Sequence, residues 1–124
     1  MSRAQPMRRT LLWLPPILYM AIIFAFSAQS NPLPIVTAHV WDKLLHLVEY
    51  CGLALLLARA LVGEGLSWLP ALVAATLLAS AYGVTDEYHQ SFVPGRDSSA
   101  LDWTADSLGA IAGVSAYAAA RRRG

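Results

Sequence analysis

Two long stretches of this chain carry no formal charge, and they decide what it can fold into. Leu11–Ala28 is uncharged for eighteen residues and Leu66–Val84 for nineteen. A helix of roughly 20 residues spans the hydrocarbon core of a bilayer. Two further stretches approach that length with a few polar interruptions. Leu44–Val62 holds His46, Glu49 and Arg59, and Leu101–Ala120 holds Asp102 and Asp106 among many Ala and Gly. Only helices and closed barrels satisfy the backbone in lipid, and the strand-like alternation of a barrel is absent. Composition agrees: 56% of residues are hydrophobic and 14% charged, against about 25% charged in a soluble domain. The expectation is an all-α integral membrane bundle of four transmembrane helices, forming a single domain over residues 1–124, with spans near 11–28, 44–62, 66–84 and 101–120.

Basic residues set the expected orientation. Arg3, Arg8, Arg9, Arg59, Arg121, Arg122 and Arg123 fall on one side of a four-span arrangement and make up seven of the nine basic residues. Lys43 and Arg96 fall on the other. The positive-inside rule then places both termini in the cytoplasm. A competing reading takes Arg8–Arg9, the apolar run and "AFSAQS" as a cleaved signal peptide. The length of the run and Pro15–Pro16 argue against it. The prolines of "QSNPLPIVTAHVWDK" discourage helix until about Val36. Pro94 and Gly95 suit a tight turn within "VPGR".

With this topology the acidic residues segregate. Of the eight, Glu64 is on the inner side, and Asp42, Glu49, Asp86, Glu87, Asp97, Asp102 and Asp106 belong to the outer half. Asp42, His46 and Glu49 share one helix face at i, i+4 and i+7, flanked by Lys43 and Tyr50. Asp102 and Asp106 share another, which continues to Gly109 and Gly113. Like charges at i, i+4 repel, so such stripes need compensation. Carboxylates at lipid depth are costly and by default face a protein-lined cavity. A plain structural reading, with Arg96 and Lys43 pairing the acids to position loops, stands beside the functional ones. "GAIAG" at Gly109–Gly113 reads as a helix-packing face. Ser27 and Ser30 read as the end of the first helix, or as lining of the same outer cavity. Cys51 reads as a packing residue, since nothing near it in sequence would activate a thiolate.

Two chemistries fit the cluster. In the first, Glu49 or His46 acts as general base, oriented by Asp86. In the second, a divalent cation is held by Asp102 and Asp106, with Asp86, Glu87, His46 or His89 as further ligands. Arg96 is the candidate clamp for a phosphate, because its planar fork suits such anions. Lys43, Tyr50, Glu87, His89 and Gln90 complete the expected binding wall.

The segments "FAFSAQSNP", "DKLLHLVEYCGLALLLARAL" and "YGVTDEYHQSFVPGRDSSALDWTADSLGAIAG" together resemble the VanZ-like family of small bacterial membrane proteins. The likeness runs from about Phe24 to Gly113, and the last segment is its most specific part. Asp106 stands where many relatives carry Asn, which adds a charge. The resemblance implies a multi-pass protein of the bacterial cell membrane, in a family whose founding member is linked to teicoplanin resistance. It picks out Asp42, Lys43, His46, Glu49, Tyr50, Asp86, Glu87, His89, Gln90, Phe92, Pro94, Gly95, Arg96, Asp102 and Gly109. The functional expectation is a cell-envelope protein whose outward acidic, His and Arg site engages a lipid-linked or phosphate-bearing component and alters glycopeptide susceptibility. The alternative is a non-enzymatic accessory, transporter or flippase-like subunit whose polar cluster is structural. The expected partner is the lipid bilayer, with no nucleic acid; in the transport alternative a second copy of the chain, joined through the small-residue face of the fourth span, would supply a complete path.

Overall fold

A computed structural model describes the backbone of residues 4–28, 35–94 and 100–123, and the side chains of 5–28, 43–94 and 100–122. Among these residues the chain is all-α, with helices α1 (Ala4–Ser27), α2 (Ile35–Gly63), α3 (Trp68–Gln90) and α4 (Ala100–Arg123). Three are long and apolar enough to cross a membrane: Gln5–Ser27, Lys43–Gly63 and Trp68–Gln90. Helix α4 matches them in length with 24 residues. It falls short in apolarity because Asp102, Asp106 and a run of Ala, Gly and Ser dilute its few large residues.

Each helix end has a local cause. Pro15 and Pro16 lie inside α1, where Pro15 cannot donate to the carbonyl of Leu11. Arg59 of α2 donates from Nη1 to that oxygen at 3.2 Å, so the carbonyl that Pro15 leaves open finds a donor on the neighbouring helix. Helix α2 stops in a Schellman turn. Gly65 N–H donates to Val62 O at 3.0 Å and Leu66 N–H to Leu61 O at 3.1 Å, with Gly65 at φ 108°. That left-handed conformation costs a residue with a Cβ about 1–2 kcal/mol. Ser67 is the N-cap of α3, and Pro70 sits in the first turn, where a missing N–H matters little.

Helix α3 runs on through Thr85–Gln90, beyond the end near Val84 that hydropathy suggests. Asp86, Glu87, His89 and Gln90 are therefore helical. Its buried stripe reads Ala71, Ala75, Ala79, Gly83, then Asp86, Glu87 and Gln90. The polar residues continue the face that the small ones begin.

The interior is built from small residues. Ala54, Ala58, Ala75, Ala79 and Ala110 are buried with Tyr50, Leu53 and Ile23, while Leu14, Phe24, Leu77, Leu108 and Ile111 point outward. This inversion suits a lipid solvent, in which large side chains gain little from burial and small ones let backbones approach. The closest approach is between α2 and α4. A Cβ on Gly109 would collide with the carbonyl oxygen of Leu47, and one on Gly113 with that of Cys51. The small-residue face of α4 is thus covered by α2 of the same chain. At Gly109 and Gly113 themselves this leaves no space for a second copy of the chain.

Gly113→Leu should therefore lower stability by about 1–3 kcal/mol or more, read as a drop in the thermal midpoint of the detergent-solubilised protein. Leu108→Ala, on the outward face of the same helix, should leave the midpoint within about 0.5 kcal/mol equivalent. Equal effects would mean that the close α2–α4 contact does not hold the bundle.

Candidate functional site

One end of the bundle gathers polar side chains from all four helices. The C-terminus of α1 supplies Ser27, the first half of α2 supplies Lys43, His46 and Tyr50, the C-terminus of α3 supplies Asp86, Glu87 and Gln90, and the start of α4 supplies Asp102 and Asp106. Ser27, His46, Asp86, Glu87, Gln90, Asp102 and Asp106 are all buried, with Asp106 at 0% and Asp102 at 1% exposure. Asp102 lies in the first turn of α4, where the helix dipole favours a negative charge.

The contacts form one connected chain. Tyr50 donates its hydroxyl to Asp86 Oδ2 at 3.1 Å, and Ser27 donates to Asp86 Oδ1. Gln90 Nε2 stands 3.3 Å from Ser27 Oγ and 3.4 Å from His46 Nε2. His46 Nδ1 lies 2.6 Å from Asp106 Oδ1 and 4.0 Å from Glu87 Oε1. Lys43 Nζ lies 3.6 Å from Asp102 Oδ1.

The proton positions follow from one end of this chain. Ser27 has a single hydroxyl proton and gives it to Asp86, so its oxygen must accept from Gln90. The amide nitrogen of Gln90 therefore faces both Ser27 and the imidazole. His46 Nε2 then accepts, and Nδ1 carries the proton donated to Asp106. This assignment makes His46 neutral and uses every donor along the chain.

What is left over is acceptor. Asp106 Oδ2 and Gln90 Oε1 are buried and receive no hydrogen bond among the described residues. Asp86, Glu87, Asp102 and Asp106 are all buried here, and among the described residues Lys43 brings an ammonium to Asp102. Buried carboxylates are stable only when hydrogen-bonded, neutralised or paired. Two overlapping ligand sets are preformed: His46 with Asp86 and Asp106, and His46 with Glu87 and Asp102. In each set the donor atoms lie within 4.8 Å of one another. One imidazole among several carboxylates suits Mn²⁺ or Zn²⁺, and the oxygen-rich remainder suits Mg²⁺ or Ca²⁺. The residues present fit a divalent cation once the Nδ1 proton of His46 has left, since the hydrogen-bonded chain engages both imidazole nitrogens.

Most of the expected site residues meet here: Lys43, His46, Tyr50, Asp86, Glu87, Gln90, Asp102 and Asp106. Tyr50, expected to flank the α2 stripe, instead occupies its buried centre with His46, Leu53 and Ala54. Glu49 is half-buried at the edge of that stripe. His89 stands apart from the chain of hydrogen bonds and stacks on Phe24, with ring centroids 4.2 Å apart and planes 13° apart. Arg96, Asp97, Ser30 and the Gly95 half of the turn lie outside the described residues, as does the side chain of Asp42.

Gly83 is the residue that sequence reasoning missed. A Cβ there would stand 2.8 Å from Asp106 Oδ2 and 3.3 Å from Trp103 Cδ1, so only glycine lets α4 bring its carboxylate in. The available signal was a lone glycine one turn ahead of Asp86–Glu87 in an otherwise apolar helix. Beside it, Ser80 and Ser107 hydroxyls pair at 2.9 Å, and Trp103 Nε1 donates to Ser80 O at 3.1 Å. These contacts fix the α3–α4 register at this level.

The sequence profile of the family described as VanZ/LLP1 matches residues 4–121. No curated protein and no solved structure matches the chain.

Removing one link tests the chain. Ser27→Ala should cost about 1–3 kcal/mol by leaving Asp86 short of a donor. In an Asp86→Asn background the same change should cost less than about 1 kcal/mol, because the charge that needs the donor is gone. Unfolding in one fixed detergent gives all three differences. Strictly additive values would show that Ser27 and Asp86 are not coupled.

Proposed function

The chain belongs to the VanZ/LLP1 family, and we propose that it serves in the bacterial cell membrane as a four-span protein with its His46 centre at the outer face. There it engages a lipid-linked or phosphate-bearing envelope component and so alters susceptibility to glycopeptides such as teicoplanin. The observation that carries this reading is the convergence of buried carboxylates, imidazole and amide from four helices at one end of an otherwise apolar bundle. Intramembrane ionisable groups mark functional sites by default.

The outward orientation is supported by the opposite end. Arg8 Nη2 donates to Gly63 O at 2.7 Å, Arg9 Nε meets Glu64 Oε1 at 3.4 Å, and Arg121 lies over Trp68 at 5.8 Å from the ring centre. Arginines concentrated at one end favour the cytoplasmic side, which turns the acidic end outward. A fourth span is supported by how α4 packs. Asp102 and Asp106 face inward, while Leu101, Leu108 and Ile111 face out, so lipid would meet an apolar surface despite the helix's modest hydropathy.

A phosphate would not approach four carboxylates unaided. A divalent cation on the His46 sets would supply the positive charge that binds it, and Lys43, which keeps 38% of its side chain exposed, offers a direct contact. Asp86 and Asp106 would hold the cation, Gln90 would fix the imidazole, and Tyr50 and Ser27 would fix Asp86. A second reading rests on the completeness of the donor chain, which also suits a structural clamp in an accessory or transport subunit.

Susceptibility measurements separate the two. In a glycopeptide-sensitive host expressing this chain, Glu49→Gln, Asp86→Asn, Arg96→Ala and Asp102→Asn should each return the teicoplanin inhibitory concentration to the vector-only value while membrane abundance stays within about twofold. Four fully active variants would end the site reading. The cation has its own readout: calorimetric titration of the purified protein with Mn²⁺ or Mg²⁺ should show one site, weakened about 10-fold or more by Asp106→Asn. No heat with either ion would remove the cation from the proposal.

A further inference from the structure

A second feature lies at the other end of the bundle, about 27 Å along α3 from Asp86 at 1.5 Å per residue. There α3 and α4 part to form a groove of about 420 Å³ bordered by Trp68, Leu69, Leu72, Ala118, Arg121 and Arg122. Leu72 also borders a shallow, open seam of about 260 Å³, which continues along the outside of the α3–α4 pair between Thr76, Leu77, Ile111 and Val114. The two share a wall and run in line along the same pair of helices.

The groove has a polar mouth and an apolar length. At the mouth, Trp68 is held between Tyr117, with ring centroids 5.6 Å apart, and the Arg121 guanidinium. Arg121 and Arg122 are exposed, and neither meets a carboxylate among the described residues. Beyond Leu72 the walls are almost entirely aliphatic. Helices α3 and α4 are pinned together near Gly83, Ser80 and Ser107, and at this end only Ala118 stands where a larger residue would close the gap. From Trp68 to Leu77 the walls extend about 14 Å.

We propose that this groove binds one anionic phospholipid, its phosphate between Arg121 and Arg122 beside Trp68 and one acyl chain along Leu72, Thr76 and Val114. Charge complementarity selects this occupant. A second copy of the chain would bring its own arginines to an end already rich in them. An acidic peptide would find polar partners only at the mouth and none along the groove. A lipid with an anionic head has the same division of chemistry as the site, and basic pockets between helices at the cytoplasmic surface suit such heads. Arginine's fork fits a phosphodiester, and an interfacial tryptophan marks the headgroup level. The proposal needs only helices that cross a bilayer and is independent of what the His46 centre binds.

The test is lipid retention by the purified full-length protein, measured by native mass spectrometry in a zwitterionic detergent with added phosphatidylglycerol or phosphatidylcholine. Wild type should retain one phosphatidylglycerol in preference to phosphatidylcholine, and millimolar inorganic phosphate should not displace it. The double variant R121Q/R122Q should lose about tenfold or more of that retention. R8Q/R9Q, which removes equal charge at the same end, should lose little. Thr76→Phe fills the groove without changing charge and should reduce retention as well. Equal losses from the two arginine pairs would reduce the effect to diffuse attraction and overturn the proposal. So would unchanged retention in Thr76→Phe, or displacement by phosphate alone. A teicoplanin phenotype that survives R121Q/R122Q would leave the reading of the His46 centre intact, so the two fail separately.

Discussion

The close contact between α2 and α4 sets the position of everything polar in this protein. The two helices run in the same direction, and Gly109 and Gly113 rest against the carbonyls of Leu47 and Cys51. Both contacts join residues 62 positions apart, so the register is held for a full turn. One turn nearer the polar end, the same alignment brings Asp106 to His46 and Asp102 to Lys43. A side chain at either glycine would push α4 away, and the 2.6 Å contact between imidazole and carboxylate could not survive the added separation. The site depends on a packing event that contains no polar atom of its own beyond two backbone oxygens.

Helical periodicity is legible in a sequence, and so are the faces that follow from it. Asp102, Asp106, Gly109 and Gly113 read as one stripe, and the structure keeps them as one. Register between helices is not legible in that way. Nothing in the spacing of residues says that Ser27 meets Asp86, that Gln90 reaches both Ser27 and His46, or that Gly83 must lack a Cβ for Asp106 to fit. The end of α3 failed for a related reason. Hydropathy weighs side chains by type and ignores direction, so Thr85–Gln90 reads as a loop outside the membrane. Its acids and amide point inward, and the helix continues because those groups find partners in the bundle. The same blindness explains α4, whose low apolarity reflects residues that face its neighbours.

The polar centre is best understood from what it lacks. Tyr50, Ser27, Gln90 and His46 use all their donors on one another and on two carboxylates, while Asp106 Oδ2 and Gln90 Oε1 receive none among the described residues. A network evolved only to glue helices would more naturally end in balanced pairs, since each buried unsatisfied acceptor costs about 1–3 kcal/mol. Here the imbalance has one sign. Lys43 offsets part of it from the rim, with its ammonium 3.6 Å from Asp102. The proposed cation would sit within the preformed ligand sets around His46.

The two ends of the bundle treat charge in opposite ways. At the His46 end, acids are turned inward, desolvated and tied to one another across all four helices, so their charge acts over a short range on whatever enters. At the arginine end, Arg121 and Arg122 stay exposed around an apolar groove, while Arg8 and Arg59 complete backbone carbonyls that Gly63 and Leu11 leave open. Arg8 and Arg59 therefore serve the helices themselves, and Arg9 meets Glu64. Arg121 and Arg122 face the medium. A chain this small cannot enclose a large ligand within its own core, because its interior is filled with alanine and glycine at backbone distance. The space between its side chains lies at the helix ends and in the seams between helices, where the proposed His46 centre and α3–α4 groove sit.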